Sequence, residues 1–187
     1  MKVLLIKCVI LASVLILVTG CSNSNPTASK DKGENTTTVS AKNNGNSNNV
    51  KTIKTFLEKD LTTTNELKEI LNSDDIPAQN QYLKETYGSL IAKDYFETFV
   101  NTNVGFMVLL PAHSAGYELK PTDIQIHLEN SKFNSYTFEA EVEYSKDGKI
   151  NTSTITGYIT LNDQGKITGM RDFNAKELQD IFTAEKK

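Results

Sequence analysis

The chain has 187 residues, with 20 Lys and Arg against 23 Asp and Glu, a net charge of −3 and two cysteines. That length holds one domain of ordinary size plus an extension, and argues against two domains. A mildly acidic chain without a clustered basic stretch excludes duplex nucleic acid as the expected partner.

The amino terminus reads as an export leader. Lys2 and Lys7 supply positive charge, Val9 to Val18 is an almost unbroken apolar run, and Val18-Thr19-Gly20-Cys21 closes it. Small residues at Thr19 and Gly20 fit a peptidase that grips an extended backbone, and Cys21 carries the one side chain placed to accept a diacylglyceryl group. This is a lipoprotein box. The apolar segment ends at Gly20-Cys21 with polar residues directly after it, which suits a cleaved signal better than a membrane span. Residues 1–20 are therefore expected to be removed. Two acyl chains on Cys21 hold a protein stably where one would not. Cleavage takes Lys2 and Lys7 away, leaving 18 basic side chains against 23 acidic ones and a net charge of −5. Cys8 lies in the leader and Cys21 is spent on lipid, so no intramolecular disulfide is expected in the exported domain.

Residues 21–50 read as the lipidated cysteine and an Asn/Ser/Thr-rich linker. Between Ser22 and Asn49 the apolar side chains are Ala28, Val39 and Ala41 alone, too few to offset the entropy of ordering the segment. As a flexible coil it would span roughly 30 Å. Its richness in Asn and Lys suits an AT-rich Gram-positive genome, and the expected location is the outer face of the cell membrane.

Residues 51–187 read as the globular domain. Val50, Ile53, Phe56, Leu57 and Leu61 recur at three- and four-residue steps, the mark of a helix with one buried stripe. Thr64 or Asn65 caps a second helix over 66–71, and Asn72 to Pro77 breaks the chain. A third helix carries Tyr82, Leu83 and Tyr87 before Gly88. A fourth, near 92–102, presents Tyr95, Phe96, Phe99 and Val100. The apolar run from Gly105 to Leu110 predicts a strand closed by Pro111, followed by a loop of small residues from Ala112 to Gly116. From Asp123 apolar and polar residues alternate, as in Ile124, Ile126 and Leu128 and again in Phe138, Ala140, Val142 and Tyr144. Asp147-Gly148 marks a tight hairpin. A Thr-rich strand runs from Ile150 to Leu161, a second hairpin turn ends at Gly165, and a fourth strand covers 166–173. A last helix over 175–182 offers Leu178, Ile181 and Phe182 for docking. Helices followed by an antiparallel meander define an α+β class, and the apolar face of the meander needs the amino-terminal helices to cover it.

Helices, an apolar first strand and long hairpins ending in Gly165-Lys166-Ile167-Thr168-Gly169-Met170 resemble the nuclear transport factor 2-like, or ketosteroid-isomerase-like, fold over residues 51–173. The resemblance implies a curved, cone-shaped sheet lined by helices. It implies two kinds of function. Some members are isomerases, cyclases or dehydratases working in the mouth of the cone, and others only bind proteins or small ligands. The isomerase type needs a base carboxylate and a hydrogen-bond donor facing each other in an apolar pocket. The candidates for such a pocket are Tyr87, Tyr95, His113, Tyr117 and Asp172, with Tyr82 beside them, and no spacing forces them together.

Each polar candidate also has a plainer reading. His113 is first a surface-loop histidine. His127 with Glu139 and Glu141 is a solvated strand face before it is a metal site, because two histidines without a closely spaced partner fall short of a zinc pattern. Glu139, Glu141 and Glu143 keep a sheet face wet. Arg171, the one arginine of the chain, pairs with a neighbouring carboxylate or clamps a ligand carboxylate. No Ser-His-Asp order, phosphate loop or Cys-His pair occurs, and no cofactor or metal is expected. The expected function is a non-enzymatic binding module held at the membrane through diacylglyceryl-Cys21, with an envelope protein or a small ligand as partner. The alternatives are an isomerase- or dehydratase-like enzyme and a structural accessory of an envelope machine.

Overall fold

A computed structural model describes residues 38–41, 46–73 and 75–184. The leader, Cys21 and most of the linker lie outside these residues. Among the described residues no helix is long and apolar enough to cross a membrane.

Among the described residues five α-helices precede the meander and one follows it. They are α1 (Ser47–Asp60), α2 (Asn65–Asn72), α3 (Ile76–Tyr87), α4 (Lys93–Asn101), α5 (Leu109–Ser114) and α6 (Lys176–Ala184). The meander consists of β2 (Glu118–Asn130), β3 (Ser135–Lys146), β4 (Lys149–Leu161) and β5 (Ile167–Asn174), each antiparallel to the next. A short strand, β1 (Thr38–Ala41), runs parallel along β2 from Asp123 to Ile126. The sheet is open, in the order β1-β2-β3-β4-β5. The α+β class read from the pattern is the class of the fold.

Local chemistry sets the boundaries. Asn46 accepts from the Asn48 amide at 3.0 Å and starts α1 three residues before Val50. The Thr64 hydroxyl accepts from the Leu67 amide at 3.1 Å and caps α2, while the Asp75 carboxylate does the same for Ala78 in α3, each satisfying a donor that the first turn leaves open. Asp147 and Gly148 both adopt positive φ, 51° and 77°, which closes the β3–β4 hairpin in the sense that matches strand twist.

The region 105–116 departs from the sequence reading. A single 3₁₀ turn covers Val104–Phe106, and Leu109–Ser114 is helix α5 rather than strand end and loop. Pro111 sits in the first turn of α5, where the missing N–H has no intrahelical partner to lose. Val108, Leu109, Ala112 and Ala115 are buried at helical spacing. The meander accordingly begins at Glu118, and Pro121 is accommodated at a register shift within β2.

The inner faces of β2, β3 and β4 bury Ile124, Ile126, Phe138, Ala140, Val142, Ile155 and Ile159, and Phe56, Leu83, Tyr87, Phe99 and Phe106 from the helices cover them. Phe56, Tyr87 and Phe99 form a mutual ring cluster with centroids 5.2–6.2 Å apart, in the tilted and edge-on arrangements that aromatic quadrupoles favour. The α3–α4 connection is tied to the start of β5. Ala92 N–H donates to Ile167 O at 2.8 Å, and Ile167 N–H donates to Leu90 O at 2.9 Å.

Candidate functional site

Two features stand out: a charged-type side chain sealed in the core and a groove on the helical surface. Asp60 ends the buried stripe of α1, following Ile53, Phe56 and Leu57 at helical steps, and is 2 % exposed. The Tyr87 hydroxyl, from α3, lies close enough to act on its carboxyl. The pair does not meet in a well-formed hydrogen bond, and Asp60 Oδ1, Asp60 Oδ2 and Tyr87 Oη have no partner among the described residues. Burial pushes the Asp60 carboxyl up to about 8, with the Tyr87 hydroxyl pulling weakly the other way. Burial, and then the nearby Asp60 charge, hold the Tyr87 phenol well above its ordinary range. Burial raises Tyr82 as well. At neutral pH Asp60 is therefore a neutral acid, a hydrogen-bond donor in apolar surroundings rather than a carboxylate. Asp60 was not among the residues singled out from sequence, although its place at i+7 from Ile53, inside an apolar stripe, was the available signal.

The five pocket candidates have different neighbours. Tyr87 is enclosed by Phe56 and Phe99. Tyr95 is half-buried on α4. His113, on α5, donates from Nε2 to Asn72 Oδ1 at 2.9 Å. Tyr117 packs its ring 5.7 Å from Tyr144 and 5.2 Å from Phe182. Asp172 is exposed on β5 and paired with Arg171 at 3.0 Å. Among the described residues no group of three or more His, Cys, Asp or Glu side chains could hold a metal ion.

The groove lies between α3 and α4 and encloses about 600 Å³. On α3 its wall is Pro77, Asn80, Gln81 and Lys84, one helical face at steps of three and four. On α4 the facing stripe is Lys93, Phe96, Glu97, Val100 and Asn101 at the same steps. Ile91, pinned by the β5 contacts, forms the inner end. Phe96 and Val100 are only partly buried, so the floor is apolar and reachable, while amides and charges of both signs form the rim. The volume falls in the range of small-molecule and peptide-anchor sites. An apolar floor between polar rims is the arrangement that takes up an apolar side chain or small ligand.

The architecture is thus an α+β domain with helices laid over one face of an open antiparallel sheet. No protein-family model and no curated protein matches the chain. Among solved structures it is similar to the NMR solution structure of TraH, described as a transfer protein of the Gram-positive conjugative plasmid pIP501, at 19% identity over 73% of this chain and 99% of that chain, with a TM-score of 0.44. That likeness is too distant to transfer a role.

Proposed function

We propose that this chain is an extracytoplasmic lipoprotein, anchored through diacylglyceryl-Cys21, whose domain binds an envelope protein in the α3–α4 groove without catalysing a reaction. The observation that carries the reading is the groove itself: an accessible apolar floor of Phe96 and Val100, closed at its inner end by the buried Ile91, between two polar helical rims. Such a surface offers a partner side chain an anchor, with rim amides and charges to fix its orientation. The nuclear transport factor 2-like relationship belongs to the same proposal and is supported by the order of elements, helices first and a long meander after. A photo-crosslinking residue at Glu97 or Gln81 of the full chain in cells tests it. Specific protein adducts from these positions that Val100→Asp abolishes are expected. Adducts insensitive to that substitution would remove the groove from the function.

A second reading is favoured by one observation, the neutral Asp60 facing the Tyr87 phenol in an apolar interior. This pairing is of the type an isomerase- or dehydratase-like enzyme uses to hold an oxyanion. Here both groups are enclosed, so substrate would have to open the core. Asp60→Asn separates the readings, since a binding module retains its crosslinks and an enzyme of this type loses turnover.

A further inference from the structure

The polar face of the sheet carries a second depression, formed where β5 departs from regular pairing. Thr156 pairs with Asn174 and Tyr158 with Arg171, so β5 has one residue more than β4 across this step. Asp172 takes up the excess in a left-handed conformation, φ 52°. In a regular strand Arg171 and Asp172 would point to opposite faces. The bulge keeps both outward, ion-paired at 3.0 Å, and turns Phe173 onto Phe138 with ring centroids 5.7 Å apart. Gly157 makes this possible, because a Cβ there would lie 2.8 Å from the Phe138 ring and 3.3 Å from the Phe173 Cα. A cavity of about 450 Å³ results.

Its lining is unlike that of the groove. His127, Thr137 and Tyr158 form one cross-strand row, and Glu139 lies in the next row with Thr156 and Asn174. The Arg171 guanidinium stacks 4.1 Å from the Tyr158 ring centroid and holds that ring in place. Glu139 and Asp172 line the cavity and Arg171 stands at its edge, paired with Asp172, so the balance of charge opposes an anion. Phe138 is mostly buried beneath the other groups, which opposes an apolar ligand. Carboxylates, a carboxamide and an imidazole together match groups that are donor and acceptor at once, and charge-assisted bonds to such groups are strong.

We propose that this depression is a binding site for a neutral saccharide, whose hydroxyls donate to Glu139 and Asp172 and whose ring lies against the Tyr158 side of the cavity. Arg171 acts as a positioning residue. The site is independent of the α3–α4 groove, and either stands without the other.

The test is an amide-resolved NMR titration of the full chain in detergent micelles, with chitotetraose, maltotetraose and inorganic phosphate as separate probes. One of the oligosaccharides is expected to shift the amides of 137–139, 156–158 and 171–174. Glu139→Gln and Asp172→Asn, the latter retaining a residue type that tolerates positive φ, should each weaken that response about tenfold. Glu143→Gln, on the same face outside the cavity, should leave it unchanged. Absence of shifts at about 10 mM of either oligosaccharide, a response to phosphate alone, or binding indifferent to both cavity substitutions would overturn the assignment.

Discussion

Replacing Asp60 by Asn should remove a pH dependence of stability that the fold imposes. The carboxyl is pushed from its ordinary 3.8 to about 8 by complete burial. Between those values the folded chain holds a proton that the unfolded chain has released, so stability must fall as pH rises. The favourable contribution is whole below about pH 4, declines by up to about 1.4 kcal/mol per pH unit, and is exhausted near pH 8. Asn keeps the volume and removes the ionisation. Its unpaired amide adds a pH-independent cost of about 1–3 kcal/mol. Wild type and Asp60→Asn should therefore differ by an amount that changes by about 3 kcal/mol between pH 5 and 7.5. With urea slopes of about 1–3 kcal/mol/M, the gap between midpoints moves by about 1 M or more. Parallel stability-versus-pH curves for the two proteins would mean that Asp60 is ionised, or solvated, in the native state, and the reasoning would fail.

Other expected outcomes follow from single contacts. Gly157→Ala should lower stability by about 1–3 kcal/mol, measured by urea unfolding, because the added methyl meets the packed Phe138 ring. Thr64→Ala removes the α2 cap and should cost about 1 kcal/mol, a thermal midpoint lower by a few degrees. Asn49 is buried and donates from Nδ2 to Tyr136 Oη at 3.2 Å; Asn49→Ala should destabilise by about 1–3 kcal/mol, and an unchanged midpoint would place that side chain in solvent. Globomycin treatment should accumulate full-length precursor on an immunoblot, and Cys21→Ser should abolish partition of the mature form into detergent; normal processing in both cases would rule out the lipid anchor.

Periodicity carried most of the fold because the stripes are long. The α1 stripe through Leu61 and the alternation of Ile124 to Leu128 and Phe138 to Tyr144 each repeat often enough to separate a period of 3.6 from one of 2. Gly105 to Leu110 does not: six residues of continuous apolar character fit a strand or a buried helix equally, and packing of Leu109 and Ala112 decides for the helix. Linker composition likewise hid Asn49, whose amide is ordered by the distant Tyr136 and Asn134. The site was less legible than the fold. Tyr87, Tyr95, His113, Tyr117 and Asp172 were chosen by residue type, and type says nothing about which side chains a three-dimensional fold brings together. Asp60 went unnoticed because a carboxylate at a helix end normally reads as solvated, and its apolar neighbours lie in other elements. The bulge at Asp172 depends on one missing side chain at Gly157, fifteen positions away in sequence and brought opposite it only by strand pairing.

The short parallel strand β1 has a mechanical meaning if the chain is tethered at Cys21. Thr38–Ala41 lies between that anchor and α1 and is fixed by pairing along only four residues of β2. A pull from the bilayer reaches this ladder before it reaches the helices. Peeling it away would free Thr38–Ala41, about 13 Å of chain at full extension, so the strand would yield like a fuse and spare the hydrophobic interior from the load.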